Sequence, residues 1–193
     1  YFTLEQARLF IARARRDAKD FRIHCLLYPS HEPEWVAADV NESNWQSRMD
    51  AHFEAIASVP GVGSALNIDV TNELISARYD SNDGYRPNTW YRAAGGPAYI
   101  PYAFGKARAL FPDCPLFWCH DHTEQITDDF HRSQTRFVLN ALERALKAGA
   151  PIDGYNMQGH LQLRLGFDRL RLISFLNDLK SNLGLRIIIG ELD

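Results

Sequence analysis

Helix-spaced and strand-spaced apolar positions alternate along these 193 residues. Thr3 with Gln6 reads as a capping box opening a helix, with Leu4, Ala7, Ile11, Ala14 and Ala18 on one face. Residues 21–28 form a short apolar run suited to a buried strand. Residues 45–57 are helical, with Met49, Phe53 and Ile56 at apolar spacing, and Gly61 and Gly63 punctuate the end of that helix. Residues 65–70 read as a strand leading into Thr71-Asn72-Glu73, and residues 80–87 carry turn chemistry. Pro97 suits the first turn of a helix whose face continues through Ile100, Phe104, Ala107 and Phe111, and Pro112 stops it. Residues 116–119 are a strand running into His120-Asp121-His122. Residues 130–148 form a helix with Val138, Ala141, Leu142 and Ala145 inside and Gly149 as its C-terminal cap. Residues 152–157 are a weaker strand. Residues 167–183 are a helix with Leu170, Ile173, Leu176 and Leu179 inside, and residues 185–189 are the last strand.

Strands separated by helices imply a parallel sheet with helices packed outside, and no linker divides the chain, so residues 1–193 read as one unit. Each strand run ends in chemically capable residues: Tyr28 to His31, Asn72-Glu73, His120 to His122, Gln158 to His160, and Glu191. In parallel α/β folds that rim is where function sits. Lys plus Arg total 21 against 24 Asp plus Glu, so there is no basic field of the kind a nucleic-acid binder uses. No apolar run approaches the ~18 residues of a membrane helix. The three cysteines Cys25, Cys114 and Cys119 have neither metal-pair spacing nor the even count of a disulfide framework.

Glu73 and Glu191 each lie just past an apolar strand run. Two carboxylates in one cleft are what glycoside hydrolysis requires, one to protonate the leaving oxygen and one to attack the anomeric carbon or activate water. The surrounding residues sharpen this. Asp69-Val70-Thr71-Asn72-Glu73 resembles the Asp-Val-Val-Asn-Glu segment of glycoside hydrolase family 10, the endo-β-1,4-xylanases. Ile188-Ile189-Gly190-Glu191-Leu192-Asp193 resembles its Ile-Thr-Glu-Leu-Asp segment. The stretch from Pro151-Ile152-Asp153-Gly154 through Gln158-Gly159-His160-Leu161 is similar to Pro-Ile-Asp-Gly-Ile-Gly-Leu-Gln-Ser-His-Leu. Trp90-Tyr91, Tyr99-Ile100, Ala103-Phe104 and Ala107-Arg108 match the helix after the acid/base strand. Ile23-His24-Cys25-Leu26 and Pro33-Glu34-Trp35 resemble the Gly-His-Thr-Leu and Pro-Ser-Trp elements around the third strand.

The resemblance implies a (β/α)8 TIM barrel, of which this chain would hold about the third to seventh strands, and a retaining mechanism. Glu73 matches the acid/base and Glu191 the nucleophile. Asn72 matches the residue that bonds the sugar 2-hydroxyl, and His160 the histidine beside the nucleophile. Gln158 and His24 match the cleft floor, and Trp35 lies near the cleft. The implied partner is a polysaccharide, xylan or a related β-1,4-glycan. No metal or other cofactor, nucleic acid or membrane is expected. The full-length protein is expected to be monomeric and secreted or periplasmic.

Two departures stand out. The family's Trp-His-Ser-Gln is Tyr28-Pro29-Ser30-His31 here, so the sugar-contacting histidine is lost, with His31 as its substitute. The family's Asn-Asp/Glu-Tyr-Asn is Cys119-His120-Asp121-His122, which sets an acidic Asp121 where a tyrosine would support the nucleophile. The alternatives are a metal-dependent hydrolase built on His120, His122, Asp121, His24 and His160, and a non-catalytic glycan-binding relative. A five-strand piece of a barrel leaves two sheet edges open, so this chain alone is expected to be unstable, inactive or oligomeric. Trp45, Trp90 and Trp118 read as packing residues, His52 as packed against the following strand, and His131 as exposed.

Overall fold

The computed structural model describes residues 4–193, so the proposed Thr3 cap lies outside the described residues. Five strands form one parallel sheet in the order β1-β2-β3-β4-β5. They are β1 (Ile23–Leu27), β2 (Ile68–Asn72), β3 (Leu116–His120), β4 (Gly154–Met157) and β5 (Arg186–Ile189). All four strand pairings are parallel and sequential, with Asn72 opposite Cys119, Cys119 opposite Asn156 and Asn156 opposite Ile188. Each crossover carries at least one helix, as parallel neighbours demand.

The helices are α1 (Glu5–Arg16), α2 (Glu34–Asp39), α3 (Trp45–Ala57), α4 (Thr89–Ala93), α5 (Tyr99–Leu110), α6 (Asp129–Lys147) and α7 (Arg169–Asn177), the last running into a π turn at Asp178–Asn182. Side-chain caps start three of them. Asn88 accepts from the Tyr91 amide, Asp128 from His131 and Asp168 from Arg171. Gly149 follows α6 at φ +86°, the left-handed position where glycine carries no Cβ penalty. The short helices α2 and α4 have too few turns to leave a periodic signal, and the sequence pattern does not reveal them.

The core lies between sheet and helices. Met49 and Phe53 of α3, Ala103, Phe104 and Ala107 of α5, and Val138, Ala141 and Leu142 of α6 close over Ile68, Val70, Leu116 and Trp118. Trp90 and Trp118 are buried and Trp45 packs on Tyr102 at 5.0 Å between ring centroids, as their assignment to packing required. The residues of β2 and β3 are buried throughout; this double-sided burial suits the near-continuous apolar run of β3, whereas β2 buries the polar Asp69, Thr71 and Asn72 as well. Among the described residues no helix is long and apolar enough to cross a membrane.

Three local expectations need correction. In α7 the buried position is Phe175, with Leu179 buried in the π turn that follows, whereas Leu170 is 79% exposed and Ile173 is exposed as well. Asp168 fixes where the helix starts, and Phe175 turns inward onto Tyr155 of β4 at 5.7 Å, which rotates the first turn of the helix outward. His131 is buried rather than exposed, because the Asp128 cap holds both its amide and its ring. His52 places Nε2 2.9 Å from the Leu26 carbonyl, on the preceding strand rather than the following one.

Candidate active site

The C-terminal ends of β2, β3, β4 and the segment after β5 are laced together beyond the strands. The Glu73 amide donates to the Cys119 carbonyl at 3.1 Å, Gln158 to His120 at 3.0 Å and Glu191 to Gln158 at 2.9 Å. Glu73 therefore leaves β2 while still pinned to the sheet, at φ +52°. A glutamate in the left-handed region is strained, and such strain concentrates at functional positions. Gly190 precedes Glu191 for a steric reason: a Cβ there would collide with Arg22 and Asn156.

Glu73 is surrounded by donors. Its Oε1 accepts from Gln158 Nε2 at 3.0 Å and from Asn72 Nδ2 at 3.5 Å. Its Oε2 accepts from the Tyr28 hydroxyl at 3.0 Å, with Arg86 Nη2 at 3.9 Å. Gln158 Nε2 also donates to Asn72 Oδ1 at 3.1 Å, so each amide's orientation is tied to the other's. Burial raises the Tyr28 hydroxyl pKa to about 12, with the Glu73 charge and hydrogen bond adding to it, so the phenol stays protonated.

Glu191 sits among nitrogen donors and a thiol. His160 Nε2 is 3.3 Å from Oε2. Around Oε1 lie Arg22 Nη2 at 3.4 Å, His24 Nδ1 at 3.6 Å and Cys119 Sγ at 3.7 Å. The hydrogen bond to Asp193, set against desolvation, raises the His160 pKa, and that to Asp69 does the same for His24. In their protonated forms both rings join Arg22 in balancing a negative charge on Glu191. Beneath them Asp69 is fully buried. It accepts from Asn156 Nδ2 at 3.1 and 3.0 Å and pairs with His24 at 2.9 Å and Arg22 at 3.2 Å.

One residue joins the two halves. The Gln158 side chain holds Glu73 and its carbonyl holds the Glu191 amide. Of the residues expected from sequence, Glu73, Asn72 and Gln158 form one cluster, and Glu191, His160 and His24 form the other. The His31 ring lies tilted against Tyr28 at 4.6 Å between ring centroids, and Trp35 lines a cavity of about 360 Å³ together with Tyr28, His31, Glu32 and Trp90. Both stand beside the Glu73 cluster through Tyr28 rather than within it.

Asp121 departs from its expected role. Its Oδ2 lies 3.6 Å from Arg86 Nη2 and 3.2 Å from His122 Nε2, and its Oδ1 lies 3.0 Å from His120 Nδ1. Burial pushes its pKa up, but the hydrogen bond from His120, with His122 and Arg86, outweighs that and holds it at about 2. The carboxylate is thus balanced by Arg86, which also approaches Glu73, and by the two flanking histidines. His120 is also committed: Nε2 accepts from the Ile75 amide at 3.1 Å, which puts the ring proton on Nδ1, facing Asp121. The tightest group of ligand-type atoms among the described residues is instead His24, Asp69 and Cys119, within 4.8 Å of one another. Arg22 already pairs with that Asp69, and burial, with the Asp69 and Glu191 charges adding to it, drives the Cys119 thiol far above its usual range.

Sequence reasoning missed Arg22, Asp69, Asn156 and Arg86 as site residues. Three sit inside or beside strand runs that read simply as core. Arg86 comes after a turn-rich loop and reaches the site because the Ile75–Tyr85 bridge folds that loop back.

Comparison with known proteins is consistent with this geometry. The family model for "Glycosyl hydrolase family 10" matches residues 1–193. Endo-1,4-beta-xylanase A of Cellvibrio japonicus (strain Ueda107) is 30% identical over 168 residues, spanning 83% of this chain and 26% of that protein. Endo-1,4-beta-xylanase 1 of Humicola insolens is 28% identical over 193 residues, spanning 100% of this chain and 42% of that protein. The chain thus spans between a quarter and a half of these relatives. Among solved structures, native xylanase 10B from Thermotoga maritima superposes with a TM-score of 0.83 at 24% identity, covering all of this chain and 56% of that one. An intracellular xylanase from Thermoanaerobacterium saccharolyticum superposes at 0.84 with 23% identity, covering all of this chain and 59% of that one. The five-stranded sheet is an arc of a (β/α)8 barrel, as expected.

Proposed function

The chain belongs to glycosyl hydrolase family 10, and we propose that the protein carrying it is a retaining endo-1,4-β-xylanase acting on xylan or a related β-1,4-glycan. The observation that carries the reading is the Gln158 bridge, which holds two chemically different carboxyl groups on one rim. Glu73 is the acid/base. Glu191, ringed by Arg22, His24 and His160, is the nucleophile. In the first step Glu191 attacks the anomeric carbon while the proton of Glu73 passes to the departing glycosidic oxygen. A glycosyl ester forms and the shortened glycan leaves. Glycosylation removes the charge of Glu191. Glu73, now ionised, takes a proton from water, which attacks the ester and regenerates both groups. Asn72, fixed by Gln158, is placed to meet the sugar 2-hydroxyl. Two carboxyl groups suffice for this sequence, so no cofactor is invoked.

The same reading makes the partner a polysaccharide and the full-length protein a monomer. It also makes the protein secreted or periplasmic, because polymeric xylan cannot enter a cell. The Thermoanaerobacterium relative is described as intracellular, so family membership alone does not fix the compartment.

The test is Glu73→Gln in the full-length protein. Cleavage of xylan falls by roughly 10²–10⁴-fold, the scale of general acid catalysis, while aryl xylosides with good leaving groups still form the glycosyl-enzyme. Equal loss on both substrate types would remove Glu73 from the acid/base role.

A further inference from the structure

We propose that Tyr28 is the positioning residue that carries Glu73 through both of its protonation states, with the transferable proton held on Oε2; this rests on the reading of Glu73 as the acid/base. An acid/base must be held equally well with and without its proton, so each partner must be judged by whether it can donate, accept or do both. On Oε1 both partners are amide NH2 groups, Gln158 Nε2 and Asn72 Nδ2, and these only donate. The Gln158–Asn72 bond prevents either amide from flipping alone, so offering an oxygen to Oε1 would require both amides to turn together. A proton on Oε1 would meet two donors.

On Oε2 the partners are Arg86 and Tyr28. Arg86 only donates, and its guanidinium is occupied by Asp121 at 3.6 Å and by the Ile75 carbonyl at 3.1 Å. The Tyr28 hydroxyl is the only amphoteric group among these four partners. It donates to the carboxylate and, after a simple rotation of its O–H, accepts from the carboxylic acid. The proton therefore belongs on Oε2. When substrate enters, the glycosidic oxygen replaces the phenol as acceptor of that proton and takes it as the C–O bond breaks. Tyr28 keeps its own proton throughout.

The charged and titratable groups facing this pair are Asp121 and Arg86 from the loops after β3 and β2, and His31, whose ring lies on Tyr28. The position departs from the resembled motif: where the xylanase motif has a tryptophan, whose N–H only donates, Tyr28 supplies an acceptor as well.

The experiment compares kcat/KM against pH on unactivated xylooligosaccharides for the full-length protein, Tyr28→Phe, and the protein carrying 3-fluorotyrosine at position 28. Losing one hydrogen bond to a charged acceptor moves the alkaline limb of the Tyr28→Phe profile up by about one pH unit, and kcat falls more on unactivated than on activated substrates. Fluorotyrosine, a stronger donor of nearly the same shape, moves the limb down, an opposition of sign that structural damage does not produce. A limb unmoved in Tyr28→Phe, or moved the same way by both changes, overturns the proposal. If Glu73→Gln retains full activity on these substrates, the acid/base reading fails and this proposal falls with it. If Glu73→Gln is inactive and the limb does not respond to Tyr28, only the Tyr28 proposal falls.

Discussion

Replacing Asp69 tests whether a buried charge network holds the nucleophile side of the site. Asp69 is 0% exposed and serves Asn156, His24 and Arg22 at once. Asp69→Ala leaves the Arg22 guanidinium, the His24 ring and the Asn156 amide without this acceptor. Breaking one side of a buried ion pair costs about 3–5 kcal/mol. Each orphaned neutral donor costs about 1–3 kcal/mol, but Arg22 is partly solvated and can turn to water. A net loss of about 4 kcal/mol is the expected value. The assay is urea unfolding of the full-length protein, compared at equal m so that the midpoint reports stability. The network also has a pH signature. The Asp69 hydrogen bond raises His24, so the stability this pair contributes is complete below the unfolded histidine value near ~6.5. It is lost as pH rises through the higher folded value. Asp69→Ala removes that slope as well as the offset. A loss under about 1 kcal/mol, or an unchanged slope between about pH 5 and 9, would refute the argument that Asp69 anchors Arg22 and His24 beneath Glu191.

Two further outcomes rest on contacts of the same rim. Asp121, held at about 2 against an ordinary carboxylate value, contributes stability above pH ~4 that drains away as pH falls through its folded value. Asp121→Asn therefore loses on the order of 2 kcal/mol at about pH 6 and almost nothing at about pH 2, read by thermal or urea melts across that range; a loss independent of pH would show that His120, His122 and Arg86 do not stabilise its charge. Gly190→Ala forces Arg22 and Asn156 aside and is expected to destabilise by roughly 1–3 kcal/mol and to lower kcat more than binding. Wild-type kcat in that variant would mean the approach of Glu191 to Arg22 is not needed.

The legible part of this protein is the part written in local pattern. The five strands follow from short apolar runs, and both glutamates were visible because each terminates such a run. Asn72, Gln158 and His160 are visible by motif; in the fold Asn72 and Gln158 bond Glu73, and His160 Nε2 lies 3.3 Å from Glu191. What sequence could not reveal was chemistry that depends on which side of the sheet a residue faces. Asp69 and Asn156 interrupt apolar strands, yet they pair with each other two strands apart, a relation that local spacing does not encode. Asp121 was visible as a departure, but its direction toward Arg86 depends on a loop folding back through the Ile75–Tyr85 bridge. Tyr28 looked like a lost tryptophan-histidine pair, and only the 3.0 Å contact with Glu73 gives it a positive role. In α7, the apolar residues Leu170 and Ile173 pointed to the wrong face because the cap and the single anchor Phe175 set the rotation.

The central claim is that Glu191 attacks and Glu73 shuttles the proton. Incubating the full-length protein with a 2-deoxy-2-fluoro xylobioside bearing a good leaving group tests it directly, because the fluorine slows breakdown of any covalent intermediate. The expected result is one added glycosyl mass on the intact protein, mapped by peptide fragmentation to Glu191. Release of β-configured sugar on reactivation is expected next. An unmodified protein that still turns over xylan, an adduct on Glu73, or α-configured first product would contradict the assignment.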